Sequence, residues 1–213
     1  MRNWDVLLLG GNSASGKSTA AREIERREPV SWFDADAMFI GLLAATTPEQ
    51  FPDVHLFSNT DAMRVAPTGT LFPRFLAACE IVSRAISITA RHHMTSDHPA
   101  VIEATWITPS MADFALRLHG PRLRSVFVCD TSSGHITRGM RFRWAMQPDR
   151  HPPYGARQLL VDVARDHGRW LRAECARVGI PVVNARPRDT LVDRILAAAD
   201  GGARPVPRAI VDG

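Results

Sequence analysis

The sequence predicts a three-layer α/β/α fold around a five-stranded parallel sheet. Three observations support this prediction: five short apolar runs, segments of helical periodicity between them, and a polar or glycine-rich turn after each run. The runs cover residues 5–10, 30–33, 100–102, 125–129 and 181–183. Strands that are apolar throughout and alternate with helices are typical of a parallel sheet covered on both faces. In such sheets ligands bind at the carboxyl ends of the strands, where these polar turns cluster.

The segments between the runs carry the start and stop signals of helices. Pro29 disfavours helix at the residue before it, which ends the first helix. Thr108 and Pro109 suit the cap and the first turn of a short helix. Elsewhere apolar side chains recur at three- and four-residue spacing. The predicted helices cover residues 18–27, 73–92, 108–118, 155–177 and a last segment that begins at Leu191.

Length and composition fit one globular domain. The chain has 213 residues, of which 1–200 are assigned to the domain and the Gly- and Pro-rich residues 201–213 to a flexible tail. No stretch approaches the roughly 18–20 uninterrupted apolar residues of a membrane span, and the run 6–9 is too short for a secretory signal, so we expect a cytoplasmic protein. The three cysteines form no CxxC pair and are expected to be buried.

The formal net charge of +4 suits anionic ligands. The excess is arginine, because Lys17 is the single lysine, and there is no dense basic tail or aromatic stacking platform that would indicate a nucleic-acid partner. We therefore expect small-molecule partners and no membrane partner. Both a monomer and a homodimer remain open.

The strongest motif follows the first run. Residues 11–18, GNSASGKS, match the phosphate-binding pattern GxxxxGK[ST] between a strand and a helix. Backbone amides and the helix N-terminus present partial positive charge to phosphate oxygens, Lys17 can bridge the β- and γ-phosphates, and Ser18 can bind Mg²⁺. The motif predicts a P-loop NTPase fold that uses ATP and Mg²⁺. The predicted nucleotide-binding residues are Gly11, Asn12, Ser13, Ala14, Ser15, Gly16, Lys17, Ser18 and Thr19.

Carboxylates follow three of the other runs. Asp34 and Asp36 have the i,i+2 spacing that places both side chains on one face of an extended segment. Glu103 and Asp130 come directly after the third and fourth runs. Such groups can bind Mg²⁺, with Asp34 as the favoured ligand, or orient an acceptor hydroxyl or a metal-bound water, a role that suits Glu103. The alternative for each is a helix cap or a turn.

Residues 134–148 contain arginines and no Asp or Glu, and Arg150 follows. Arg138 and Arg141 are neighbours on a helical face, so both can point at a transferring phosphate. A lid at about residues 132–154 would close over ATP and exclude water; the alternative is a solvated basic helix.

After the fifth run, Asn184 and Arg186 lie in a loop that we expect beside the first strand. That loop can contact the adenine or serve as a plain turn.

The ordered segments resemble the small P-loop kinases, a group that includes adenylate kinase, chloramphenicol phosphotransferase and, most similar, 2-phosphoglycerate kinase. The resemblance covers roughly residues 5–196. Its segments are GGNSASGKST at 10–19, DAD at 34–36, VIEATWITP at 101–109, HITRGMRFR at 135–143, Tyr154 and GIPVVN at 179–184. It implies that Asp36 faces the acceptor as the base. Where the phosphoglycerate kinases typically have EG followed by histidine, Ala104 and Trp106 stand here.

The predicted reaction moves the γ-phosphoryl group of Mg-ATP to a hydroxyl of a small molecule. A 2-phosphoglycerate-like compound is the first candidate acceptor, and an antibiotic or a nucleoside is the alternative. Residues 37–69 are expected to shape the acceptor pocket. A regulatory ATPase is the alternative from another class, and nothing in the sequence separates ATP from GTP.

Overall fold

The computed structural model describes residues 3–67, 69–96, 98–146 and 152–201, without the side chain of Tyr154. Five strands form one sheet: β1 (Val6–Gly11), β2 (Ser31–Asp34), β3 (Ala100–Ala104), β4 (Leu123–Cys129) and β5 (Val182–Asn184). The helices are α1 (Lys17–Arg27), α2 (Ala37–Ala45), α3 (Pro52–Leu56), α4 (Thr60–Val65), α5 (Leu71–Thr95), α6 (Pro109–His119), α7 (Ser133–Met146), α8 (Tyr154–Val178) and α9 (Leu191–Gly201).

The sheet is parallel throughout, and its strand order is β2-β3-β1-β4-β5. Alternate residues of β1 enter different cores, because successive side chains of a strand point to opposite faces. Leu7 and Leu9 pack with α1 and α9, whereas Val6 and Leu8 pack with α5, α6 and α8. The predicted three-layer fold with five parallel strands is confirmed.

The predicted strands and helices lie within a few residues of the observed ones. Thr108 caps α6 as predicted, since its side chain accepts a hydrogen bond from the Met111 amide at 3.3 Å. The cysteines are all buried and free. None of the described helices is long and apolar enough to cross a membrane.

Two features were not predicted in detail. Residues 37–69 contain the short helices α2, α3 and α4, which pack on α5 and α8. The strand β3 continues to Ala104, so Glu103 lies inside the sheet, opposite Leu9 of β1 and Asp34 of β2. The proposed tail lies outside the described residues, apart from Gly201 at the end of α9.

The phosphate-binding loop is fixed to the sheet by the side chain of Asn12. Its amide nitrogen donates to the carbonyl oxygens of Asp130 at 2.8 Å and Ala164 at 3.0 Å, and its oxygen accepts from the Asp130 amide at 3.0 Å. These bonds are buried and join the loop to the end of β4 and to α8. The close approach of α8 requires Gly168, where a Cβ would lie 2.6 Å from the carbonyl oxygen of Asp130.

Two glycines of α8 provide a matched test of this packing. We expect Gly168→Ala to lower the free energy of unfolding by roughly 1–3 kcal/mol, because the methyl group meets backbone. Gly155→Ala should be neutral or stabilising by up to about 1 kcal/mol, since alanine favours helix and the nearest atom, Arg64 Nε at 3.2 Å, belongs to a flexible side chain. Urea unfolding of both variants measures the difference. Equal effects would contradict the packing described.

Candidate active site

The loop between β1 and α1 has a backbone that few residue types allow. Gly11 has φ 147°, Ala14 has φ 63° and Gly16 has φ 91°. A Cβ at Gly11 would overlap the carbonyl oxygen of Val128 on the neighbouring strand. The loop therefore turns sharply at the end of β1 and leads directly into α1, whose N-terminal amides can bind an anion.

Lys17, the first residue of α1, is only 2% exposed. Its Nζ donates a hydrogen bond to Thr105 Oγ1 at 2.8 Å and lies 3.3 Å from Glu103 Oε1. Burial raises the pKa of the Glu103 carboxyl, Asp36 and Asp34 raise it further, and Lys17 and Ser18 oppose the rise. An ammonium group is thus held at the carboxyl end of β1, between the phosphate loop and β3.

Thr105 connects this lysine to the predicted base. The Thr105 amide donates to Asp36 Oδ1 at 2.7 Å, and its hydroxyl lies 3.4 Å from Asp36 Oδ2. The side chain of Asp34 contacts the backbone of Asp36, because its Oδ1 accepts a hydrogen bond from the Asp36 amide at 3.1 Å. The result is a chain of contacts, Lys17–Thr105–Asp36, which we call the relay.

Arg188 binds the backbone of the phosphate loop. Its guanidinium donates to the carbonyl oxygens of Ala14, at 3.0 Å, and of Ser15. Burial lowers the pKa of Arg188, and the charge of Arg186 adds to this effect. Arg194 fixes the segment that precedes Arg188, because its guanidinium donates to the carbonyl oxygens of Asn184 and Pro187, each at 2.6 Å.

The expected position of this last loop was wrong. β5 pairs with β4, at the edge of the sheet, and does not lie beside β1. From this part of the chain, Arg188 reaches the phosphate loop. Arg186 is exposed, and the Asn184 side chain accepts from Arg172.

A groove of about 840 Å³ runs along the phosphate loop and the outer face of α1. Its lining includes Asp34 and Asp36 after β2, and Arg188 and the start of α9. The helix α7 overhangs it and packs on the loop at Gly139, where a Cβ would lie 2.8 Å from the Cβ of Ala14. The groove is large enough for a nucleotide.

The arginines of α7 differ in their relation to this groove. Arg143, one turn after Gly139, lines the groove, and so does Phe142, which is 71% exposed. Arg138 and Arg141 are exposed and are not among the residues that line it. The helix turns about 100° per residue, so Arg141 points away from the face that carries Gly139 and Arg143. Arg150 and residues 147–151 of the expected lid lie outside the described residues.

His167 of α8 is a buried polar group that the sequence did not reveal. It is 1% exposed, and neither ring nitrogen has a hydrogen-bond partner among the described residues. The ring lies edge-on to Phe75, with 4.9 Å between the ring centroids. Burial lowers the pKa of His167 to about 3, and the charge of Lys17 adds to this effect.

No protein-family model matches the sequence, and no curated protein matches it. Solved structures do match its fold. A gluconokinase from Sinorhizobium meliloti 1021 superimposes with a TM-score of 0.58 at 19% identity, over 94% of each chain. A shikimate kinase from Acinetobacter baumannii, solved with shikimate, gives a TM-score of 0.50 at 14% identity, over 91% of this chain and 92% of that one. The chain has a P-loop kinase fold. These comparisons do not confirm the particular likeness to 2-phosphoglycerate kinase.

Within this P-loop kinase fold, the residues predicted at the strand ends converge. Lys17, Ser18, Glu103, Asp34 and Asp36 lie together at the carboxyl edge of the sheet. The sequence did not single out Thr105, Arg188 or His167. A hydroxyl two residues after Glu103, in the turn that follows β3, was the one available signal for Thr105. The chemical roles of all these residues remain predictions.

The depressed pKa of His167 predicts a pH dependence of stability. Between pH 6.5, the ordinary pKa, and about 3, the unfolded chain protonates this ring and the folded chain does not. Stability must therefore fall as the pH drops through this window, by up to about 1.4 kcal/mol per pH unit. We expect His167→Gln to lose less stability than the parent between pH 7 and 5, by roughly 2 kcal/mol. Urea unfolding at both pH values measures this. The exposed His92 gives the control His92→Gln, and parallel losses in all three proteins would contradict the prediction.

Proposed function

We propose that this protein is an ATP-dependent phosphotransferase that moves the γ-phosphoryl group to a hydroxyl of a small molecule. The observation that supports this most directly is the relay, which joins the lysine of the phosphate loop to a carboxylate at the end of β2. A gluconokinase and a shikimate kinase with the same fold add support. The proposed cellular location is cytoplasmic.

The groove offers a complementary surface for the triphosphate. Amides at the N-terminus of α1, the Lys17 ammonium and the Arg188 guanidinium surround the loop with positive charge. Arg143 adds a guanidinium from α7. Charge that spreads over the oxygens of a transferring phosphoryl group is stabilised best by such fixed donors. Phe142 and Leu191 both line the groove and give it apolar surface suited to a nucleobase.

The residues near Ser18 fit a magnesium ion. The Glu103 carboxylate is buried, its Oε1 lies 3.3 Å from Lys17 Nζ, and the Ser18 side chain lies beside it. No group of three or more His, Cys, Asp or Glu among the described residues is arranged to hold a metal. Mg²⁺ bound with a nucleotide keeps several waters and needs only one or two protein ligands besides the phosphates. Ser18 and Asp34 are the proposed ligands, and the ion would neutralise charge on the phosphates.

Asp36 is the proposed base for the acceptor. Its carboxylate takes the proton of the acceptor hydroxyl as that oxygen forms a bond to the γ-phosphorus, and the bond from phosphorus to the β-phosphate oxygen breaks to release ADP. The amide and hydroxyl of Thr105 fix the orientation of the carboxylate. Glu103 keeps Lys17 in place at the phosphates.

The central test is ATP consumption with Mg²⁺ against a panel of hydroxy acids, sugars, nucleosides and antibiotics. We expect one acceptor class to raise turnover well above the background. Lys17→Ala and Asp36→Asn should each reduce that turnover by about 100-fold or more, because one removes phosphate charge stabilisation and the other removes the base. Slow hydrolysis that no acceptor changes would contradict the proposal and favour a regulatory ATPase.

Two pairs of arginines test how the groove binds ATP. We expect Arg143→Ala to lower kcat by about 100-fold and Arg188→Ala to raise KM for ATP by about 10-fold, since each removes a cation from the groove. Arg141→Ala and Arg186→Ala are the matched controls on the same helix and in the same loop, and we expect changes of less than about threefold. Larger effects at the control positions would restore the assignment of catalysis to Arg141 and of nucleotide binding to Arg186.

A further inference from the structure

The carboxylate of Asp130 is buried beside the phosphate loop, and the proposed reaction gives it no role. Asp130 follows β4 and is 7% exposed. Its Oδ1 accepts a hydrogen bond from the Ser132 amide at 3.0 Å, whereas its Oδ2 is buried and has no hydrogen-bond partner among the described residues. A carboxylate removed from water in this way needs a counter-charge, because its desolvation is costly.

His135, in the first turn of α7, supplies this counter-charge when it is protonated. Its Nδ1 lies 3.3 Å from Asp130 Oδ2, and its side chain is 36% exposed. The backbone amide and carbonyl of Asp130 are themselves hydrogen-bonded to Asn12 of the phosphate loop. The pair therefore joins the start of α7 to the same point that holds the loop.

A small apolar cluster attaches the remainder of α7. Ile136, Met140 and Trp144 are buried in it together with Val161 and Ala164 of α8. This cluster is separate from the two larger cores on the faces of the sheet. Because apolar contacts are not directional, a charged pair at the start of α7 adds a constraint that the cluster does not provide.

His135 lies on the same side of α7 as the residues that meet the phosphate loop and the groove. His135, Gly139 and Arg143 are spaced by four residues, which places them in one row along the helix. Gly139 packs on Ala14, and Arg143 lines the groove. At 1.5 Å per residue, Arg143 lies about 12 Å along the helix from His135. A tilt of α7 at His135 therefore moves the Arg143 guanidinium within the groove.

The Asp130 carboxylate also acts on a second cation of the groove. Burial lowers the pKa of Arg188, the charge of Arg186 adds to this effect, and the charge of Asp130 opposes it. Arg188 binds the backbone of the phosphate loop. One buried carboxylate thus attracts cationic side chains from two segments that border the groove, α7 and the loop before α9.

We propose that Asp130 and His135 are positioning residues, whose charged pair fixes α7 so that Arg143 reaches the transferring phosphoryl group. This inference rests on the proposed phosphotransferase function and on the role assigned there to Arg143. It gives the carboxylate after β4 the task of placing an arginine, and not that of binding Mg²⁺ or the acceptor.

A series of substitutions at His135 tests the pair. We expect His135→Ala to lower kcat about 10-fold and to change KM for ATP by less than about twofold, because a catalytic group displaced by about 1 Å loses much of its effect. His135→Gln should restore part of kcat through a hydrogen bond to Asp130, and His135→Glu should lower kcat further, since two carboxylates repel.

Gly134→Glu is the matched control. It adds the same negative charge one residue earlier in α7, at an exposed position where a Cβ would have Ser132 Oγ at 3.9 Å as its only neighbour. We expect this variant to keep kcat within about twofold of the parent, because a single exposed charge contributes little. An unchanged kcat in His135→Glu, or an equal loss in both glutamate variants, would overturn the proposal.

A double-mutant cycle tests whether the pair acts through Arg143. In the Arg143→Ala protein, His135→Ala should change kcat by less than about twofold, because the group that it displaces is already absent. In the parent, Asp130→Asn should lower kcat about 10-fold and also raise KM for ATP about threefold, since the carboxylate attracts Arg188 as well. Losses that multiply in the double variant, or an unchanged kcat in a folded Asp130→Asn protein, would overturn the proposal.

Hydrogen exchange separates this proposal from the phosphotransferase proposal, because it needs no acceptor. Deuterium uptake by peptides from residues 133–146 should be faster in His135→Glu than in the parent and in Gly134→Glu, since a less firmly attached helix opens more often. If uptake follows this order and no acceptor receives phosphate, the attachment of α7 by the pair stands and the phosphotransferase proposal fails. If an acceptor receives phosphate and the two glutamate variants match in uptake and in kcat, the phosphotransferase proposal stands and this one fails.

Discussion

The site depends on a buried ion pair between Lys17 and Glu103. Removing both charges from water is costly, and their attraction offsets that cost only in part, so such a pair seldom serves stability alone. Neighbouring parallel strands position it, because the register of β1 and β3 sets Glu103 beside Leu9, just before the phosphate loop. Asp34 and Asp36 then lie close enough to raise the pKa of the Glu103 carboxyl. A bound polyphosphate would add negative charge beside Lys17 and the three carboxylates, and would therefore change the electrostatic environment of all four side chains.

Thr105 gives this charged group a second property. Its hydroxyl contacts both Lys17, on the side of the proposed nucleotide site, and Asp36, the proposed base. A ligand that moves either partner alters the hydrogen bonds available to the other, and the resulting change in affinity must be reciprocal. In the proposed reaction one side chain thus joins the nucleotide site to the base. Asn12 and Gly168 hold the phosphate loop against the end of β4 and α8.

The sequence predicts the sheet, the phosphate loop and the strand-end carboxylates well, because each follows from local periodicity or from a motif with fixed spacing. It does not predict contacts between residues that lie far apart in the sequence. Arg188 touches Ala14 only because β5 lies outside β4, and that strand order is a property of the assembled sheet. The face of α7 that packs on the phosphate loop is the one that carries Gly139, because the absence of a side chain there allows close contact. The positions of the arginines in the sequence do not indicate this face. Spacing alone therefore favoured Arg138 and Arg141 over Arg143.

The attachment of the phosphate loop has a consequence for synthesis of the chain. The loop is made well before the groups that hold it, which come from Asp130, Ala164 and Arg188. Chains grow at about 5–20 residues per second, so the loop waits roughly 10–30 seconds for Arg188. During that interval the nascent chain carries the phosphate-binding motif without the contacts that hold it. The proposed nucleotide site is complete only once β5 and Arg188 have been made.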